Sequence, residues 1–139
     1  MKHYKANVYP DELLTKPTIV DGTGILMANG QWRGIPWTLD EVFVDLLKVT
    51  GLQAKPEHVM VNTILPGGKS GWHIDPEPAR YSRWHLPLTT NDGCFFESDQ
   101  IIHMPVGFWS GPVKYWKRHR VWNSGKTPRT HLIVDLRVK

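Results

Sequence analysis

Past Pro56 the chain is cut repeatedly by clusters of Gly, Pro, Asn and Asp: PGGKSG, DPEPA, TTNDG, PVG and NSGKTP. Gly supplies positive φ, Pro presets φ, and Asn and Asp side chains bond their own backbone, so each cluster favours a chain reversal. The intervening segments are short and rich in β-branched and aromatic residues, which predicts strands at 58–65, 80–88, 94–97, 100–104, 113–116 and 129–138. Reversals at this spacing link antiparallel strands rather than helices.

One helix is predicted from Thr38, where a T-x-x-E capping box with Glu41 precedes Leu39, Val42, Phe43, Leu46 and Leu47 at helical spacing. Gly51 is placed to end it. The preceding DGTGILMANG reads as turn, short strand and turn, and its lone G-x-G lacks the strand-to-helix setting of a dinucleotide site. A helical layer followed by short strands predicts a mainly β fold, a jelly-roll with one or two supporting helices, although a plain β-sandwich carries the same pattern. With 139 residues, 40% of them hydrophobic, the chain fits a single domain: a supporting segment and helix over 1–55, then a β core over 56–139.

Cys94 has no partner cysteine, so no internal disulfide and no Cys-rich zinc site can form, and any metal must rely on His and carboxylates. No apolar run is long enough to cross a bilayer and the amino terminus lacks an apolar signal core, which predicts a cytoplasmic protein without membrane association. The net charge of +4 arises from scattered basic residues. Only Lys114 to Arg120 (KYWKRHR) forms a basic cluster, which a solvated strand end explains better than a nucleic-acid site.

His73 and Asp75 are two positions apart, so in an extended segment both side chains leave the same face and can converge on one ion. A third ligand must come from a distant strand. His119, within H-R-V-W-N, is the best candidate, with His131 or His85 as substitutes. Two imidazoles and one carboxylate make a facial triad that leaves three coordination positions open, the arrangement suited to non-haem Fe(II), a chelating 2-oxo acid and dioxygen. Arg129 follows ten residues after His119, and its planar fork suits the far carboxylate of such a co-substrate. Arg83 and His85 share one face of RYSRWHLPL, opposite Trp84, Leu86 and Leu88.

Five motifs in order, N-T-I-L-P-G, W-H-I-D, R-W-H-L-P-L, H-R-V-W-N and R-T-H-L-I-V-D, resemble the aspartyl/asparaginyl β-hydroxylase family of Fe(II)/2-oxoglutarate oxygenases. The resemblance implies a double-stranded β-helix, the jelly-roll found in cupins. It implies His73 and His119 as iron ligands, Arg129 at the distal carboxylate of 2-oxoglutarate, Arg83 and His85 by its iron-binding end, and Asn62 supporting the distal carboxylate. Some animal members carry Gly where this chain has Asp75, so Asp75 restores the ordinary triad. The implied reaction hydroxylates an Asp, Asn or Pro side chain, free or in a peptide or protein, consuming dioxygen and releasing succinate and CO2.

Blander assignments compete. Asp75 can cap a turn, Arg129 can pair with Asp135, and Arg83 can pair with Glu97. At the level of function, the rivals are a 2-oxoglutarate oxygenase acting on a nucleobase or other small metabolite, and a cupin-like module that binds metal without oxidation.

Overall fold

The computed structural model describes residues 1–7, 22–23 and 39–138. Their elements are β1 (Lys2–Lys5), β2 (Gly22–Thr23), α1 (Leu39–Thr50), β3 (Ala54–Ile64), β4 (Tyr81–Thr89), β5 (Cys94–Glu97), β6 (Ile101–Ile102), β7 (Phe108–Val113), β8 (Arg120–Asn123) and β9 (Arg129–Val138). The fold is mainly β with one helix among the described residues, as the turn pattern predicts. The helix is not long and apolar enough to cross a membrane.

The strands form two antiparallel sheets, neither of them closed: a larger one ordered β1-β7-β4-β9-β3-β2 and a smaller one ordered β6-β5-β8. Residues 67–75 extend the smaller sheet beyond β8, through bridges pairing Lys69 with Trp122 and His73 with His119. At the centre of the larger sheet, β9 alternates strictly. Leu132, Val134 and Leu136 enter a core with Val42 and Leu46 of α1 and with Trp84, Leu86 and Trp109. Arg129, His131, Ile133 and Asp135 take the other face, towards the smaller sheet. A second core of Tyr81, Phe96, Met104, Val113 and Tyr115 lies on that side.

The helix is fastened as well as packed. Asp45, buried in α1, accepts bonds from Trp109 Nε1 at 3.0 Å and from Asn7 Nδ2 at 3.0 Å, which ties the helix to β7 and to the chain leaving β1. Gly51, at φ 72°, donates to the Leu47 carbonyl and ends the helix as a left-handed cap, as its position predicts. Thr38 of the expected capping box, and most of DGTGILMANG, lie outside the described residues.

The predicted boundaries of β5 and β9 coincide with those found. The strand expected at 113–116 instead runs from Phe108 to Val113, β8 follows it, and β1 adds a further strand. Gly111 and Pro112 sit inside β7, opposite an irregularity in β4 between Arg83 and His85. A Cβ at Gly111 would lie 2.7 Å from the Trp84 ring, so this glycine permits close packing rather than a reversal.

Candidate metal centre and cavity

A cavity of about 600 Å³ lies between the two sheets. Asn62, Arg83, His85 and Arg129 reach it from the larger sheet, and His73, Asp75 and His119 from the edge of the smaller one. The residues singled out from the sequence therefore share one space. His131 lies behind His85, bonded to it.

The extended segment around His73 places Trp72 and Ile74 outward, exposed, and turns His73 and Asp75 inward. Two backbone bonds of 2.9 Å between His73 and His119 hold the paired segments in register. His73 Nε2 is 3.1 Å from Asp75 Oδ1, and His119 Nε2 is 3.3 Å from the same oxygen. Metal–ligand bonds of about 2.1 Å at right angles place neighbouring donor atoms about 3 Å apart, so these spacings fit adjacent positions of one coordination sphere. All three donor atoms lie within 4.8 Å of one another.

Both imidazoles are set for ligation. His73 Nδ1 faces the Gly71 carbonyl at 2.8 Å and His119 Nδ1 faces the Lys117 carbonyl at 2.8 Å. A carbonyl only accepts, so each Nδ1 carries the hydrogen, and the Nε2 lone pair of the neutral ring points to the centre. His119 is buried and stacks on Phe96 with centroids 5.3 Å apart, although it lies within the basic cluster that reads as a solvated strand end.

Burial disfavours charge on His119, but the bonds with Asp75 and the Lys117 carbonyl, together with the Asp75 charge, outweigh it and raise its pKa. Burial likewise opposes ionisation of Asp75, yet its bond with His119 and the charges of His119, Arg83 and His73 hold the carboxyl below its usual range. The geometry therefore favours a positive charge at the centre, which either a proton on Nε2 or a metal ion supplies.

Arg83 stands behind Asp75. Its Nη1 donates to Asp75 Oδ2 at 2.6 Å, while Nε and Nη2 donate to the two Asp135 oxygens at 2.7 and 2.8 Å. The guanidinium also lies 4.2 Å over the Tyr115 ring. This overturns two pairings open in the sequence: Asp135 binds Arg83 and His58 rather than Arg129, and Glu97 binds Arg120 rather than Arg83.

Arg129 differs from Arg83 in having no carboxylate partner among the described residues; Nη1 donates to Asn62 Oδ1 at 3.1 Å. Burial pushes its pKa down to about 10, so it is still a cation at neutral pH. His85 and His131 meet through their Nδ1 atoms at 3.0 Å. Burial, reinforced by the Arg129 charge, holds both well below the ordinary His range, so the pair is neutral with one ring donating and the other accepting.

Sequence reasoning passed over Tyr115 and Glu77 and offered Asp135 only as a partner for Arg129. Asp135 alone left a signal: a carboxylate on the polar face of the central strand needs a buried cationic partner. The basic cluster is partly engaged on the outer surface, with Arg118 and Arg120 over Trp72 at 5.3 and 4.8 Å and Arg120 bonded to Glu97.

Residues 28–138 match the sequence model of the family described as aspartyl/asparaginyl beta-hydroxylase. No curated protein matches the chain.

Proposed function

The chain belongs to the aspartyl/asparaginyl beta-hydroxylase family, and from that premise we propose that it is an Fe(II)- and 2-oxoglutarate-dependent dioxygenase. Its substrate is an amino-acid side chain, with Asp, Asn and Pro as the types and a free amino acid, peptide or protein as the carrier. The observation that carries this reading is the pairing, in one cavity, of a His-Asp-His group with a buried arginine that lacks a carboxylate partner among the described residues.

His73, Asp75 and His119 would hold the metal, each imidazole kept in its ligating tautomer by a backbone carbonyl. Arg129, steadied by Asn62, would receive the distal carboxylate of 2-oxoglutarate through its planar fork. The metal and co-substrate, when bound, supply C–H hydroxylation coupled to conversion of 2-oxoglutarate and dioxygen into succinate and CO2. Arg83 orients the free oxygen of Asp75. His85, neutral and backed by His131, would lie by the co-substrate's metal-binding end without adding charge. The sheets would keep the reacting carbon out of bulk water.

Two antiparallel sheets facing each other across the site support a double-stranded β-helix of the cupin type, with residues 56–139 as the catalytic core of one domain. The partly engaged basic cluster argues against a nucleic-acid substrate.

The test is succinate release by protein reconstituted anaerobically with Fe(II), then given 2-oxoglutarate, dioxygen and a panel of amino acids and peptides. Succinate formation above the free-iron background, dependent on dioxygen and lost in His119→Ala, is the expected result. Its absence, in protein that binds the metal, would leave a metal-binding module instead.

A further inference from the structure

Glu77 follows Asp75 by two residues and lines the same cavity. Its Oε1 is 3.3 Å from Arg83 Nη2, but Oε2 is buried with no hydrogen-bond partner among the described residues. A buried carboxylate oxygen without a partner is costly, and in a ligand cavity it marks where a donor is to be received.

Arg83 leaves this oxygen unmet. It donates to Asp135 and Asp75 through Nε, Nη2 and Nη1, its contact with Glu77 is from Nη2 to Oε1, and its face is covered by Tyr115. Three carboxylates, Asp75, Glu77 and Asp135, thus surround one guanidinium. If the cavity is the oxygenase site argued above, a divalent metal offsets that excess of negative charge. A dianionic co-substrate, only half neutralised by Arg129, then restores a net negative charge. Lys69, also on the cavity wall, is exposed and screened by solvent.

We propose that Glu77 determines substrate specificity by receiving a cationic nitrogen, ammonium or guanidinium, of the substrate being hydroxylated. The inference rests on the oxygenase reading for the identity of the site. The cation belongs either to the α-ammonium of a free amino acid or to a Lys or Arg side chain of a peptide, and the two sources are chemically alike at Oε2.

The experiment compares charged probes with neutral twins. Free L-aspartate, L-asparagine and L-proline are set against their N-acetyl forms, and Asp-containing peptides with a neighbouring arginine against the same peptides with citrulline. Binding is measured calorimetrically to manganese(II)-loaded protein with 2-oxoglutarate under anaerobic conditions, and turnover as succinate from the iron-loaded protein in air. In one of the two sets the charged member should bind about tenfold or more tightly than its twin, as expected for a charge-assisted hydrogen bond. Glu77→Gln should erase the difference, and the set that responds identifies the source of the cation.

Equal binding of twins in both sets, or a preference that survives Glu77→Gln, would overturn the assignment. Equal binding in the wild-type protein overturns it even if that variant fails to fold, and Glu77→Asp, which keeps the charge but withdraws the oxygen, should then weaken the preference in place of Glu77→Gln. A Glu77-dependent preference without any succinate would remove the oxygenase reading and leave the cation site standing.

Discussion

Arg83 and Asp135 meet side-on, Nε on Oδ1 at 2.7 Å and Nη2 on Oδ2 at 2.8 Å, and the remaining Nη1 reaches Asp75 Oδ2 at 2.6 Å. Asp135 is fully buried on β9, so the position of a proposed metal ligand is set from the centre of the larger sheet. Removing one partner of a buried ion pair strands the other and costs about 3–5 kcal/mol. Asp135→Ala should therefore lower stability by about that amount in urea unfolding. Metal affinity, measured by competition with a chelator, should weaken by about 10–100-fold, as for other groups that orient ligands. Asp135→Asn, which retains one acceptor, should fall between Asp135→Ala and wild type in both measurements.

The two imidazoles should respond more sharply than Asp135, since they would hold the ion directly. His73→Ala and His119→Ala should each reduce metal affinity beyond the roughly 100-fold limit for orienting groups and abolish succinate release. They should differ in stability. His73 is half exposed, whereas His119 is buried against Phe96, so only His119→Ala should lower the denaturation midpoint of metal-free protein appreciably. Equal midpoints would show that the Phe96 stack contributes little.

Much of this site was legible because its logic is local. Period-two alternation places His73 with Asp75, and Arg83 with His85, on shared faces, and ordered motifs connect them to His119 and Arg129. What escaped is pairing across strands distant in sequence. That Arg83 faces inward follows from RYSRWHLPL, but whether Glu97 or Asp135 receives it depends on which strands adjoin β4. The central position of β9 decides for Asp135. The fold divides similarly. β5 and β9 begin directly after turn clusters and were readable, whereas β7 was misplaced because Gly111, which allows packing against Trp84, and Pro112, beside a bulge, interrupt its strand pattern.

Acid should oppose metal binding earlier than an ordinary histidine pair would. His119 has a raised pKa without metal, so its proton must leave Nε2 before ligation, and affinity should fall as pH drops through that raised value. The sign for folding is opposite. A raised pKa stabilises metal-free protein below the ordinary His value, and this stabilisation is lost as pH rises through the folded-state value. The depressed pKa of Asp75 adds stability above the usual carboxylate value that is lost as pH falls towards the lower one. Thermal melts from about pH 5 to 8 should therefore show the metal-induced rise in Tm growing with pH. A rise independent of pH would mean that His119 is not a ligand.

Arg129 is held as a buried cation with Asn62 Oδ1 as a neutral acceptor, and burial has already drawn its pKa down to about 10. A site of this kind is strained without an anion and relaxed with one. Replacing the cation by a flexible apolar side chain should thus spare, or slightly raise, the stability of the ligand-free protein, as when buried ionic groups give way to hydrophobic ones. The same change removes the anchor for a distal carboxylate. Arg129→Met should keep or increase the Tm of metal-loaded protein, eliminate the further rise caused by 2-oxoglutarate, and increase the 2-oxoglutarate KM by about 100-fold or more, the cost of a bidentate charged contact. Arg129→Lys should recover only part of that loss, because an ammonium cannot engage both carboxylate oxygens in the plane of a fork. An unchanged 2-oxoglutarate-induced rise in Arg129→Met would place the co-substrate's distal carboxylate elsewhere in the cavity.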